Sequence, residues 1–323
     1  MKTTLLTKNV LLFLSTLFFL SPCAVFSQNH ALSKSEEQNF FLEDVKSYSD
    51  EWGQRLKISQ THYEGKSDYQ KIAILENPIF GRFLVLDGVV QVTERDDPYY
   101  HEMLVHVPML AHGAAKKVLI IGGGDGGCLR EVLRHQTVEK AVMVDLDGAV
   151  VELSKKYLPT ISKGAFDDPR AQVLIQNGID YVNNTQEKFD IIFSDCTDPN
   201  IEGPGAILFS SEFYKNCKKI LNSDGILVTQ NGVPFDEETI TKQVYKNLAE
   251  NFSDTRLYVT VVPVFAGGFM SFGWATDNPQ YCKVSTKTLT ARMRALGGTM
   301  TYYNPQIHKA SFTLPQCIKA LTQ

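Results

Sequence analysis

At 323 residues, 43% of them hydrophobic and 21% charged, the chain is long enough to bury a large core, as one domain or as two. Its formal net charge of −4 argues against a general binder of nucleic acid or of anionic membranes, since both require a basic face. A cationic small ligand suits this balance better.

The first element reads as a targeting segment. Lys2 and Lys8 precede the apolar run VLLFLSTLFFL (10–20), which is too short to span a bilayer, and SPCAVFSQ follows. A basic start, a short apolar stretch and compact residues before a polar Gln28 predict an export signal over 1–27 and an exported or periplasmic protein. An uncleaved N-terminal anchor is the alternative. Pro22 opposes a lipid attachment at Cys23, where a small residue is wanted. Six cysteines occur, and losing Cys23 leaves Cys128, Cys196, Cys217, Cys282 and Cys317. They have neither CxxC nor metal-ligand spacing and read as isolated small hydrophobes, which sits awkwardly with export.

Residues 28–50 are polar and acidic and predict a loosely ordered lead-in. From 51 to 110 the chain first changes to short alternating segments, RLKISQTHYEGKSDYQKIAILEN and FGRFLVLDGVVQVTE. With Gly65, Gly81 and Gly88 as punctuation they predict antiparallel hairpins. A helical stretch, YYHEMLVHVPMLAHG, ends at Gly113. Over 111–323 strands and helices alternate: KVLIIGG, GGCLREVLRH, AVMVDLD, GAVVELSKKYL, AQVLIQ, FDIIFSD, GILVTQN. Continuous apolar runs between helices predict parallel strands buried on both faces, in a doubly wound α/β domain.

Two stretches carry chemistry. In IGGGDGG, the glycines 122, 124 and 127 match G-x-G-x-x-G between a strand and a helix, so a ligand can approach the backbone at a helix N-terminus. Dinucleotide enzymes and S-adenosylmethionine enzymes share that loop. Asp145, at the end of the next strand, reads as an acceptor for ribose hydroxyls, or as a helix cap of the kind Asp147 also suits. Asp125 lies within the glycine loop, where a carboxylate repels a pyrophosphate but attracts a sulfonium or ammonium group. The second stretch, FDIIFSDCTDPN, ends a buried strand with Asp195 and Asp198, where ligands of open α/β sheets bind. Three carboxylates in one crevice need cations to offset their desolvation and repulsion.

The segments LDGVVQVTERDDPYYHEM, KVLIIGGGDGG, FDIIFSDCTDP, QNGV, SFGWATDN and YYNPQIH together resemble the polyamine aminopropyltransferases of the spermidine synthase type, from about Trp52 to the C-terminus. The resemblance implies a Rossmann-like, S-adenosylmethionine-dependent methyltransferase-like domain preceded by a small antiparallel β domain, assembled as a homodimer or homotetramer. It implies transfer of an aminopropyl group from decarboxylated S-adenosylmethionine, a co-substrate, to putrescine, giving spermidine and methylthioadenosine. No cofactor or nucleic acid is implied, and no metal, because a sulfonium already leaves as a thioether.

By the same resemblance, Asp195 accepts a proton from the attacking amine and Asp198 holds the diamine. Tyr100, His101, Gln230 and Phe265 line the amine side. Gln70, Gln91, Gly122, Gly124 and Asp145 belong to the donor pocket, Asn177–Gly178 to the adenine, and Pro204 to a loop over the donor. Asp125 holds the donor's aminopropyl ammonium. Three positions depart from the family's pattern: Asn177 replaces an aspartate, Pro263-Val264-Phe265 replaces Pro-Thr-Tyr, and DPNIEGPGAILF is longer than the usual loop, with Ala206 and Ile207 in place of an acidic–Ser pair. Losing one positioning hydrogen bond costs on the order of 1 kcal/mol, which predicts a slower enzyme or a shifted acceptor. The family's donor is cytoplasmic, which sets a cytoplasmic location against the export signal and leaves an exported, non-catalytic polyamine or nucleoside binder as the alternative function.

Overall fold

The computed structural model describes residues 39–43, 53–197, 204–235 and 237–323. The export segment 1–27 and most of the lead-in lie outside them, as does Asp198. Two short strands, β1 (Phe40–Leu42) and β2 (Arg55–Lys57), pair antiparallel. Part of the expected loose lead-in is thus a strand: the apolar pair Phe40 and Phe41 gives it a face to bury, and Phe41 packs against the core.

Four strands form an antiparallel meander: β3 (Gln60–Lys66), β4 (Lys71–Asn77), β5 (Gly81–Leu86) and β6 (Val89–Thr93). Gly81 and Gly88 take left-handed φ values of 73° and 88° at the hairpin turns, as their punctuation predicts. Gly65 does not mark a turn. It lies inside β3, where the Tyr63 ring occupies the space of its missing side chain, and the chain reverses at Ser67–Gln70 instead.

Helix α1 (Asp97–His112) follows, with Pro98 in its first turn and the left-handed Gly113 closing it. It runs past residue 110. Pro108 inside the helix has no N–H for the Leu104 carbonyl, and the Tyr258 hydroxyl donates to that carbonyl at 3.3 Å. Glu102, 3% exposed, accepts backbone N–H groups from Thr301, Tyr302 and Tyr303 at 2.7–2.8 Å. One carboxylate thereby fixes the C-terminal segment against α1. Glu102→Ala leaves three backbone donors without this partner, the one on Tyr303 buried, and is expected to lower the unfolding free energy by about 2 kcal/mol, read as a lower urea midpoint.

The central sheet has seven strands in the order β12-β13-β11-β10-β7-β8-β9. They are β7 (Lys117–Gly122), β8 (Lys140–Asp145), β9 (Ala171–Ile175), β10 (Phe189–Asp195), β11 (Leu221–Gln230), β12 (Asp254–Val261) and β13 (Phe269–Thr276). Only β13 runs antiparallel to its neighbours β11 and β12. Along β7, Val118 and Ile120 enter one core and Leu119 and Ile121 the other, which is why the strand reads as an unbroken apolar run. Helices α1 and α2 (Gly127–Leu133) cover the first face. Helices α5 (Gly178–Asn184), α6 (Ser211–Ile220) and α7 (Glu238–Ala249) cover the second. Ile72, Ile74 and Leu84 of the meander pack on Val150 of α3 (Gly148–Tyr157) and on Leu158 and Ile161, at the cap and within the short α4 (Pro159–Ser162).

From β7 the chain steps outward through β8 and β9 and then crosses to β10 on the other side of β7. The strand order therefore reverses between β7 and β10, and a crevice opens there above the carboxyl ends of the strands.

Candidate active site

Gly122 ends β7 and pairs in register with Asp195 at the end of β10. This register puts the glycine loop beside the acid that closes FDIIFSD. Gly122 has φ +86°, and a Cβ there would lie 2.2 Å from the Asp195 carbonyl oxygen, so no other residue fits. Around these two residues lies a cavity of about 550 Å³. Seven carboxylates line it, and among the described residues no Lys or Arg does. An enclosure this acidic is stable only with cations to neutralise it or with some of its acids protonated.

Asp195 Oδ1 accepts a 2.6 Å hydrogen bond from the Tyr100 hydroxyl. Its Oδ2 is buried and has no partner among the described residues. Burial pushes this carboxyl up to about 6, with Asp125 adding to the shift, while His101 and the Tyr100 bond oppose it. Asp125 Oδ1 accepts from Gly127 N at 2.6 Å, and His101 Nε2 lies 3.5 Å away. His101 itself is 1% exposed and its Nδ1 is bonded to Asp97.

The two readings of Asp145 and Asp147 separate cleanly. Asp147 caps α3 through Ala149 N at 3.1 Å and also accepts Ser67 Oγ at 2.6 Å and Gln70 Nε2 at 2.9 Å. Gln70 thus ties the meander to the rim of the crevice. Asp145 uses Oδ1 to accept Asp147 N at 2.8 Å and turns Oδ2 toward Gly124, where an added Cβ would approach it to 2.8 Å. Burial pushes Asp145, too, up to about 6.

Gln91 lines the cavity from β6 and donates to the Val89 carbonyl at 3.1 Å. Gln230, at the end of β11, donates to the Cys196 carbonyl at 2.8 Å and accepts Gly232 N at 2.7 Å. It locks the strand end to the residue after Asp195. Phe265 stands edge-on to Tyr100, ring centres 6.3 Å apart. Asn177 Oδ1 caps α5 by accepting Ile179 N at 2.8 Å and Asp180 N at 3.4 Å, so an adenine amino group would share this oxygen with the cap. Pro204 opens the short 3₁₀ turn Pro204–Phe209, and the neighbouring Gly205 lines the cavity.

Besides Asp87, at the β5–β6 turn, two acids that sequence reasoning passed over line the same cavity: Glu43, after β1, and Glu237, ahead of α7. Glu43 Oε1 accepts Val90 N at 2.9 Å. Their only signal was the acidic composition of EED-like stretches beside apolar residues, and neither sits in a recognisable spacing.

Residues 97–286 match the profile described as the spermine/spermidine synthase domain, and residues 43–94 match the spermidine synthase tetramerisation domain. The polyamine aminopropyltransferase of Erwinia tasmaniensis is 49% identical over 265 residues, 82% of this chain and 92% of that protein. The chain belongs to the spermine/spermidine synthase family. It is therefore a transferase. The polyamine aminopropyltransferase of Shigella boydii is also 49% identical, over 84% of this chain and 93% of its own length. A crystal structure of spermidine synthase in complex with the transition state analogue AdoDATO superposes with a TM-score of 0.81 at 40% identity, covering 88% of this chain and 94% of the other. The Thermotoga maritima spermidine synthase superposes with 0.80 at the same identity and coverage.

Proposed function

We propose that this family member is a spermidine synthase that moves the aminopropyl group of decarboxylated S-adenosylmethionine onto putrescine. The observation that carries this reading is Asp195: a buried carboxylate with one oxygen held by Tyr100 and the other unpartnered, at the floor of an acidic crevice beside a glycine loop. An alkylamine has a pKa near 10 and is protonated at neutral pH, so it has no lone pair to attack with. Asp195 takes that proton and orients the nitrogen. The nitrogen then bonds to the methylene carbon on sulfur. The carbon–sulfur bond breaks, its electron pair goes to sulfur, and neutral methylthioadenosine leaves.

In this reading the donor's ribose hydroxyls meet Asp145, its adenine lies by Asn177–Gly178, and Gln70, Gln91 and the backbone of Gly122 and Gly124 shape its pocket. Asp125 faces the donor's aminopropyl ammonium, and Pro204 belongs to the cover over the donor. Tyr100, Gln230 and Phe265 bound the acceptor, and Asp198, with Glu43 and Glu237, completes the acid set for a diamine's far end. The tetramerisation-domain match over residues 43–94 supports a homo-oligomer, and we favour a homotetramer. The basic and apolar start supports export with cleavage ahead of Gln28. The mass of the mature protein and its distribution between cell fractions test this.

A group whose folded pKa is raised must lose its proton before it works as a base. With Asp195 pushed to about 6, kcat/KM is expected to fall as pH drops through about 6. Asp145 titrates over the same range, so the limb is expected to be steeper than one proton. The pH dependence of methylthioadenosine release at low substrate checks this. A flat profile down to pH 5 contradicts it.

A further inference from the structure

A chain of buried charges that the proposed reaction leaves unused runs beneath the crevice. Asp97 and His101 lie one turn apart on α1, with side chains 5% and 1% exposed. Arg130 of α2 donates to Asp97 Oδ2 at 2.7 Å and to Glu131 Oε1 at 2.7 Å. Glu131 Oε2 in turn pairs with His106 at 2.7 Å and Arg134 at 2.8 Å.

The two ring nitrogens of His101 face two different carboxylates. Nδ1 is bonded to Asp97. Nε2 lies 3.5 Å from Asp125 Oδ1 and makes no hydrogen bond among the described residues. A neutral imidazole has one N–H and one lone pair, so either tautomer would point a lone pair at a carboxylate. Only the imidazolium presents an N–H to both. The ring is held in place by the Tyr100 ring, edge-on at 4.9 Å, and by Gly127, where an added Cβ would lie 2.3 Å from His101 Cε1. Asp97 remains ionised although buried because the His101 ring and then Arg130 supply positive charge and hydrogen bonds beside it.

We propose that Asp97 and Arg130 are positioning residues for the transfer reaction: they hold His101 as a fixed imidazolium under the acidic floor, and its charge sets the protonation of Asp195. His101 is then a built-in cation in the wall of the crevice. The charged and titratable groups that face it are Asp97 and Tyr100 from α1, Asp125 from the glycine loop and Asp195 from β10, with Arg130 of α2 behind Asp97 and Cys128 of α2 beside Tyr100. Burial opposes the charge on His101, and Asp125 with Asp97 overcomes it, pushing the ring up to about 9. The imidazolium in turn pulls Asp195 down against its own burial. This inference rests on the assignment of Asp195 as the base.

Two readouts test it, one of which needs no turnover. Nitrogen NMR of histidine-labelled protein at pH 7.5 is expected to show both His101 nitrogens protonated in the unsubstituted chain and only one in Asp97→Asn. The acid limb of kcat/KM is expected to move up by half a pH unit or more in Asp97→Asn and in His101→Gln, with the amine KM above the limb changed less than threefold. The second variant carries the test if the first does not fold. A neutral His101 in the unsubstituted protein overturns the proposal. So does an unmoved limb in either folded variant, or a loss confined to the amine KM, which would make His101 an amine contact. If the unsubstituted protein releases no methylthioadenosine with any amine, the proposed reaction fails, while the histidine spectrum still decides whether Asp97 and Arg130 hold the charge.

Discussion

Asp195→Asn is expected to lower kcat for methylthioadenosine release by about 100-fold to 10,000-fold, the range of a removed general base. The substitution preserves shape: Tyr100 can still donate to the amide oxygen, as it does to Asp195 Oδ1 at 2.6 Å. What is lost is the buried acceptor at Oδ2. The proposed donor pocket around Asp145 does not include the substituted oxygen, so the affinity for methylthioadenosine should change by no more than about threefold, roughly 0.6 kcal/mol. Single-turnover kinetics with equilibrium binding separates the two effects. Unchanged turnover sinks the assignment of the base.

Gly122→Ala is expected to be nearly as damaging for a different reason. Its φ of +86° disfavours any side chain, and the new Cβ would sit 2.2 Å from the Asp195 carbonyl oxygen. The left-handed conformation alone costs about 1–2 kcal/mol. The clash must also push β7 and β10 apart where the proposed base and donor would meet, and a misplacement of about 1 Å costs on the order of 100-fold in rate. Turnover and nucleoside affinity should fall together. Gly164→Ala provides the control, because φ is +80° there and nothing lies within 4 Å. It should lose stability by the backbone term alone and keep activity. Equal activity losses in both variants would show that backbone strain, not the approach to Asp195, is what matters.

The parallel sheet was legible because strands buried on both faces leave continuous apolar runs, as KVLIIG and FDIIF do. The glycine loop and Asp195 were legible because a backbone that must approach a ligand closely, and an acid ending a buried strand, leave few residue choices. Gly65 misled because a glycine inside a strand looks like a turn until the Tyr63 ring is seen to fill its place. Strand β1 was hidden in an acidic stretch, since three residues gain strand structure only by pairing with β2. Glu43 and Glu237 reach the crevice from segments almost 200 residues apart, and no local pattern marks such a convergence. The partners of His101 were unreadable for the same reason: Asp97 shares its helix, but Arg130 arrives from α2. Asp198 remains a reading of the sequence, outside the described residues.

The most direct test of the central claim is one incubation of the purified protein with decarboxylated S-adenosylmethionine and a panel of diamines and polyamines, with methylthioadenosine as the readout. Release with putrescine, accompanied by spermidine in equal amount, is the predicted result, and a preference for another amine would turn Phe265 and Asn177 into specificity determinants within the same reaction. No release with any amine, from folded protein that still binds polyamine, would contradict the enzyme and leave a binding protein built on the same crevice.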